Sequence, residues 1–311
     1  MMHMNRTLVG AVLAAGVLLA GPVSAQSTEE VNSPFLDALN ARLRAAGAHY
    51  EIAYAELLLS RDTQSPHTLV ANNRTHRLAS QFVECDARRH PGCDITYLVD
   101  QSDGTALSWQ TVPGGAVVTL TNAVTEAQLD ASMAAWDDFR CQGPNVVKVA
   151  DTGADPDVVD GLLGQGSVGT TFADITHAGW LPAAFFDAIA PNGSASILGV
   201  TFTFVFDGPS GPTDVDGDHR ADVAFKEIYY NRAFPWGTGG NESNIDIQSV
   251  ATHEAGHAFG LGHFGKVTVD LATFEFHYAP KAIMNAVYVH EDRRILGTDI
   301  GSFCSIWARS P

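Results

Sequence analysis

His253-Glu254-Ala255-Gly256-His257-Ala258-Phe259-Gly260-Leu261-Gly262-His263 is the stretch from which the rest of the chain is read. With the chain helical as far as Phe259, His253 and His257 lie one turn apart on one face, where two imidazoles can grip one metal ion. Gly260 has no Cβ, so it can turn left-handed, stop the helix and swing the chain back until His263 supplies a third nitrogen. Three neutral imidazoles leave one position of a tetrahedral zinc ion open to water, whose pKa falls there to roughly 7. Glu254 borders the same cleft without being a ligand and is placed to take that water's proton. A bare His-Glu-x-x-His is a weak signal, whereas Gly260 and His263 at their offsets sharpen it. The plainer alternative, an amphipathic helix with solvated histidines, leaves Gly260 without a purpose.

These residues resemble the zinc signature of the metzincin metalloproteases, and Ala282-Ile283-Met284-Asn285-Ala286-Val287-Tyr288 resembles the Met-turn of their matrixin branch. The chain departs from the branch in having Phe264 after the third histidine and no Pro two places beyond Met284. Ala286 replaces the tyrosine ligand of the astacin and serralysin branches. The resemblance runs from about Ala106 to the C-terminus and implies an α+β zincin domain: a twisted mixed sheet, a zinc helix under the cleft, and Met284 as an apolar base beneath the ion. It implies peptide-bond hydrolysis, with Glu254 as base toward water and then as acid toward the leaving amine. It also implies a sheet-edge strand above the cleft. Leu198, Gly199, Val200, Thr201, Phe202, Thr203, Phe204 and Val205 would align an extended peptide or protein substrate there as one more strand.

Residues 1–25 read as an export signal: Arg6 precedes the apolar run Leu8 to Ala20, and Val23-Ser24-Ala25 offers small residues before a cut. That run is short for a bilayer span, and no later one is longer, so a secreted protein without membrane insertion is expected, extracellular or periplasmic. A net charge of −17 argues against nucleic acid and anionic lipid as partners.

Four cysteines, Cys85, Cys93, Cys141 and Cys304, suit two disulfides in an oxidising compartment, with three pairings open. The favoured set is Cys85 with Cys93, because Pro91-Gly92 turns the chain between them, and Cys141 with Cys304. In the rival arrangement a free Cys93 blocks the zinc from a propeptide, which would strand a partner. With the favoured pairing, any inhibition by the N-terminal region is steric, by a segment lying across the cleft.

Ser33-Pro34 opens a helix through about Ala46 with Phe35, Leu36, Leu39 and Leu43 on one stripe, and His49 to Leu59 follows as a strand candidate. Residues 26–105 are expected to form a small α+β prodomain or accessory region, or else an N-terminal extension of the catalytic fold at 106–311. Gly115 to Leu120 is the expected first strand of that fold. Thr125 is expected to cap a helix burying Leu129, Met133, Trp136 and Phe139. The Gly- and Asp-rich stretch to about Thr171 reads as a surface loop, and His177 as an ordinary satisfied histidine. Asp214-Val215-Asp216-Gly217-Asp218, followed by Asp222, resembles the start of a calcium loop, although Phe225 stands where a glutamate would close it. Asp246 is the expected cap of the zinc helix. An insertion before Met284 containing Phe274, Phe276 and Tyr278 is expected to line one rim of the cleft.

Two other functions share these motifs. One is a secreted zinc- and calcium-binding adhesion protein without turnover, against which the retained Glu254 argues. The other is a zinc hydrolase of a non-peptide substrate.

Overall fold

The computed structural model describes residues 30–307 except 62–66, 73, 75–78, 90–91, 102–106, 112–116, 140, 142, 165, 241–242, 271–272 and 274. The expected signal segment, the Pro91 turn and Phe274 lie outside the described residues. The fold is α+β. Its principal elements are β1 (Glu30–Asn32), α1 (Pro34–Ala45), β2 (Tyr50–Ser60), β3 (Leu69–Ala71), β4 (Ile95–Val99), α2 (Asn122–Asp137) and β5 (Val146–Lys148). There follow α3 (Val158–Leu163), β6 (Ile175–Leu181), α4 (Ala183–Ile189), β7 (Ile197–Gly208), β8 (Ala221–Asn231), α5 (Ile247–Ala258), β9 (Val287–Tyr288) and α6 (Gly297–Trp307).

A mixed sheet in the order β1-β3-β2-β7-β8-β6-β4-β5 runs through the molecule. From β8 to β5 neighbouring strands are parallel, while β7 is antiparallel to both β8 and β2. Hydrophobic residues fill both faces. On one, Leu58, Leu198 and Ile228 meet Leu129, Met133 and Trp136 of α2 and Val250 and Ala251 of α5. On the other, Leu57, Leu59, Phe202 and Phe204 meet Leu36, Leu39 and Leu43 of α1 and Phe185 and Phe186 of α4. Burial on both faces explains why β2 and β7 read as nearly continuous apolar runs.

Helix α1 begins as expected, with Pro34 in its first turn and Ser33 accepting from the Leu36 amide at 3.4 Å. Asn40 stitches it to β2: its amide donates to Ile52 O at 2.8 Å, and its Oδ1 accepts from Ile52 N at 2.7 Å.

The expected boundary near residue 105 does not separate two sheets, because strand pairing overrides the compositional change there. β2, from the N-terminal side, pairs with β7 from Ile197–Leu59 to Phe206–Tyr50, and β4 pairs with β6. Strands from both sides of residue 105 thus share one sheet. The strand expected first in the catalytic fold, observed at Val117–Leu120, pairs among the described residues with Leu107–Thr111 in a separate two-stranded sheet. Helix α2 starts at Asn122 with Thr121 as cap, so the expected cap is displaced. Thr125 lies within the first turn, its hydroxyl donating to Asn122 O at 3.0 Å. No helix among the described residues is long and apolar enough to cross a membrane. Cys85 pairs with Cys93 and Cys141 with Cys304, which removes the free-thiol arrangement.

Candidate metal centre

Asp246 caps α5 as expected, accepting from the Ser249 amide at 2.9 Å, and Arg293 neutralises it at 2.6 Å. The helix ends at Ala258 with Phe259 as its C-cap, and Gly260 follows at φ +94°, in the left-handed region. The reversal carries His263 back over the helix. The Nε2 atoms of His253, His257 and His263 lie 3.0 to 3.1 Å from one another. Nδ1 of His253 lies 2.6 Å from Ile283 O and Nδ1 of His257 lies 2.7 Å from Leu261 O, so these nitrogens donate and leave Nε2 with its lone pair. Lone pairs aimed at one point repel unless a cation shares them, and three neutral imidazole nitrogens are a donor set that would hold zinc. The residues present fit zinc.

Electrostatics at the site are dominated by burial. It holds the His253 imidazole well below its ordinary pKa, with His257 adding to the effect, so His253 is neutral. Burial also lowers His257, but the Glu56 carboxylate beside it, with Glu254 and Leu261 O, leaves it raised. Glu254 is 0% exposed, and burial pushes its carboxyl up to about 7, with His257 and Thr201 pulling it down and Glu56 pushing it up. Oε2 of Glu254 accepts from the Thr201 hydroxyl at 2.6 Å, whereas its buried Oε1 has no hydrogen-bond partner among the described residues. Gly199 makes the room: a Cβ there would lie 2.6 Å from Oε1 and 3.0 Å from Cγ and Cδ.

Met284 is fully buried against α5, close enough that a Cβ on Gly256 would come 2.3 Å from its sulfur. Asp299 of α6 fastens the turn, accepting from the amides of Ile283 at 3.1 Å, Met284 at 3.2 Å and Leu296 at 2.9 Å. A narrow cavity of about 40 Å³ reaches His253 and is lined by Leu58, Tyr278, Lys281, Tyr288 and His290, among others. Tyr278 therefore lies at the rim where the insertion was expected.

β7 is not a sheet edge. Its outer side is taken by β2 along nearly its whole length, and β9 runs parallel to β2 on that strand's far end, pairing Val287 with Leu59. The eight residues Leu198 to Val205 are fully buried in a central strand, and none offers the free backbone of an edge. Thr201 and Gly199 serve Glu254 instead.

The acidic hairpin divides. Carboxylates of Asp214, Asp216 and Asp218 come within 4.8 Å of one another on the surface. Asp222 is outside that cluster: it is buried, pairs with Arg88 at 2.7 Å, a guanidinium it shares with Asp86, and accepts from Thr213 at 2.6 Å. A second cluster, Asp100, Asp155 and Asp157, gathers within the same distance of 4.8 Å at the Gly- and Asp-rich loop.

Sequence reading missed Glu56 and Lys226, both buried against His257, and the part Asp299 plays in the turn at Met284. Glu56 and Lys226 carry no local signal except a charge inside an apolar strand. No family model matches the chain.

Proposed function

We propose that the chain is a secreted, metzincin-like zinc hydrolase that cleaves peptide bonds, with His253, His257 and His263 as ligands and Glu254 as general base. The observation that carries it is the convergence of three Nε2 lone pairs within 3.1 Å, beside a buried carboxylate oxygen that lacks a hydrogen-bond partner among the described residues. Zinc, when bound, supplies Lewis acidity toward water and a carbonyl. The rest falls to the side chains. Glu254 Oε1 takes a proton from water, Thr201 holds Oε2 so that the carboxylate does not rotate, and Glu254 then delivers the proton to the leaving amine. A pKa pushed up to about 7 suits a group that must both accept and donate near neutrality. Both disulfides fit an oxidising compartment, which supports export. Calcium is proposed as a structural ion at Asp214, Asp216 and Asp218.

A second reading, zinc hydrolysis of a non-peptide substrate, is favoured by one observation: β2 occupies the side of β7 on which an extended peptide would add. Mass spectrometry of a peptide library incubated with the full chain, beside a panel of small esters and amides, tests the two. Chelator-sensitive cleavage of peptides supports the first. Ester or amide turnover without peptide cleavage selects the second, and no chelator-sensitive turnover of any kind sinks both. In the active enzyme, His263→Ala should lower zinc content. Unchanged zinc stoichiometry in that variant would place the third ligand elsewhere.

A further inference from the structure

We infer that Glu56 is a positioning residue of the metal centre, acting through His257, and that the N-terminal strand β2 belongs to the metal-holding unit. The inference rests on the zinc reading of the three histidines. Oε2 of Glu56 lies 3.0 Å from Nδ1 of His257, the middle ligand. On the backbone side of the same residue, the Lys226 ammonium donates to His257 O at 2.7 Å. Glu56 is 4% exposed, Lys226 1% and His257 0%. Burying a carboxylate and an ammonium is costly, and each is strongly destabilising if its partner is removed. Here both buried charges converge on one histidine, fixing its ring from one direction and its backbone from another.

A carboxylate beside a ligand's distal N–H does two things. It favours the tautomer whose other nitrogen faces the metal, and it makes that imidazole a stronger donor. Leu261 O lies 2.7 Å from the same Nδ1, so backbone and carboxylate act on one proton. Glu56 also adds negative charge to a buried site that must accept a dication on neutral ligands.

Strand pairing fixes its position. Glu56 stands opposite Thr201 in the β2–β7 register, and Thr201 is the residue that holds Glu254. One rung of the sheet thus serves both a ligand and the proposed base. A slip of one residue would turn Glu56 to the opposite face. Its neighbours resist such a slip, because Leu57 and Leu59 fill one core while Leu58 fills the other. A strand so placed cannot be withdrawn without opening both cores and leaving Lys226 without its nearby carboxylate.

The test uses the full chain carrying Glu56→Gln, Glu56→Asp or Leu39→Ala, with zinc affinity measured by competition against a chelating dye and cobalt(II) spectra recorded at saturating metal. Glu56→Asp keeps the charge near Lys226 while drawing the carboxylate back from Nδ1. Leu39→Ala weakens the same N-terminal layer from the face away from the metal. Both Glu56 variants should lose roughly 10- to 100-fold in zinc affinity and shift the cobalt bands. Leu39→Ala should lower Tm yet hold zinc within about twofold of wild type with unchanged bands. The inference is overturned if the Glu56 variants bind zinc like wild type with unchanged spectra, or if Leu39→Ala loses as much zinc as they do. A wild-type chain that takes up no stoichiometric zinc overturns the zinc reading itself, and Glu56's role with it.

Discussion

The Thr201 hydroxyl donates to Glu254 Oε2 at 2.6 Å from the strand above the helix, and two residues earlier Gly199 leaves the space that the carboxylate fills. The Glu254 carboxylate is therefore held from β7, while the three clustered histidines are held from α5 and the turn at Met284, so the two can be perturbed separately. Gly199→Ala would place a methyl 2.6 Å from Oε1 and push the carboxylate aside. We expect turnover to fall about 10²-fold with zinc content unchanged, because a displacement of about 1 Å is enough for such a loss. Glu254→Gln should fall by about 10²- to 10⁴-fold and also keep its zinc. Steady-state kinetics with metal analysis decide it, and wild-type turnover in Gly199→Ala would show that Glu254 is not confined as described.

The acidic surface cluster makes a prediction about calcium. Burial and the neighbouring carboxylates of Asp218, Asp222 and Asp214 raise the Asp216 pKa, the repulsion that a hard, oxygen-seeking cation relieves. Tm should rise on adding calcium to the wild type and rise much less in an Asp216→Asn, Asp218→Asn variant. An equal rise in both would move the ion to Asp100, Asp155 and Asp157. Loss of the response in Asp155→Asn would then confirm the move.

Helix α5, its cap and the turn after it were legible because their determinants are local: Asp246, His253, His257, Gly260 and His263 fall within one short stretch. What surrounds them was not. An apolar run such as Leu198 to Phe206 reads alike in an edge strand and a central one, and only the pairing with β2 decides between them. That pairing joins segments far apart in the chain, so it also hid Glu56 and the unity of the sheet across residue 105. Asp222 looked like a calcium ligand because it continues an acidic series, but Arg88 reaches it from a distant loop. Thr121 and Thr125 are both acceptable caps by type, and the observed start follows Thr121.

The disulfides carry their own prediction. All four cysteines are paired, so thiol titration of the unfolded, unreduced protein should find none free, and mercurials should not alter activity. Cys141 and Cys304 are 163 residues apart, and their bond ties the chain beyond α2 to α6. Replacing both with Ser should lower the unfolding free energy by about 2–5 kcal/mol, measured by denaturant titration. One or more free thiols in the wild type would refute the pairing.

His177 supplies a prediction about pH that is independent of the three clustered histidines. It is a core histidine, 0% exposed, with Nδ1 2.8 Å from the Tyr230 hydroxyl and its ring stacked on that tyrosine. Burial, helped by Lys148, pushes its pKa down from 6.5 to about 3. The unfolded chain then binds a proton near its ordinary pKa that the folded protein refuses. A depressed histidine pKa contributes stability that is complete above about 6.5 and is lost as pH falls toward about 3. His177→Phe keeps a ring against Tyr230 and cannot titrate. With excess chelator present in both proteins, urea unfolding at a series of pH values should show the variant losing stability less steeply across this window. The difference should approach about 1.4 kcal/mol per pH unit. The variant is expected to be less stable at pH 7, where Tyr230 loses its partner, so the slope and not the absolute stability is the readout. Parallel slopes would mean that His177 takes up its proton in the folded state, and the buried, neutral assignment would fall.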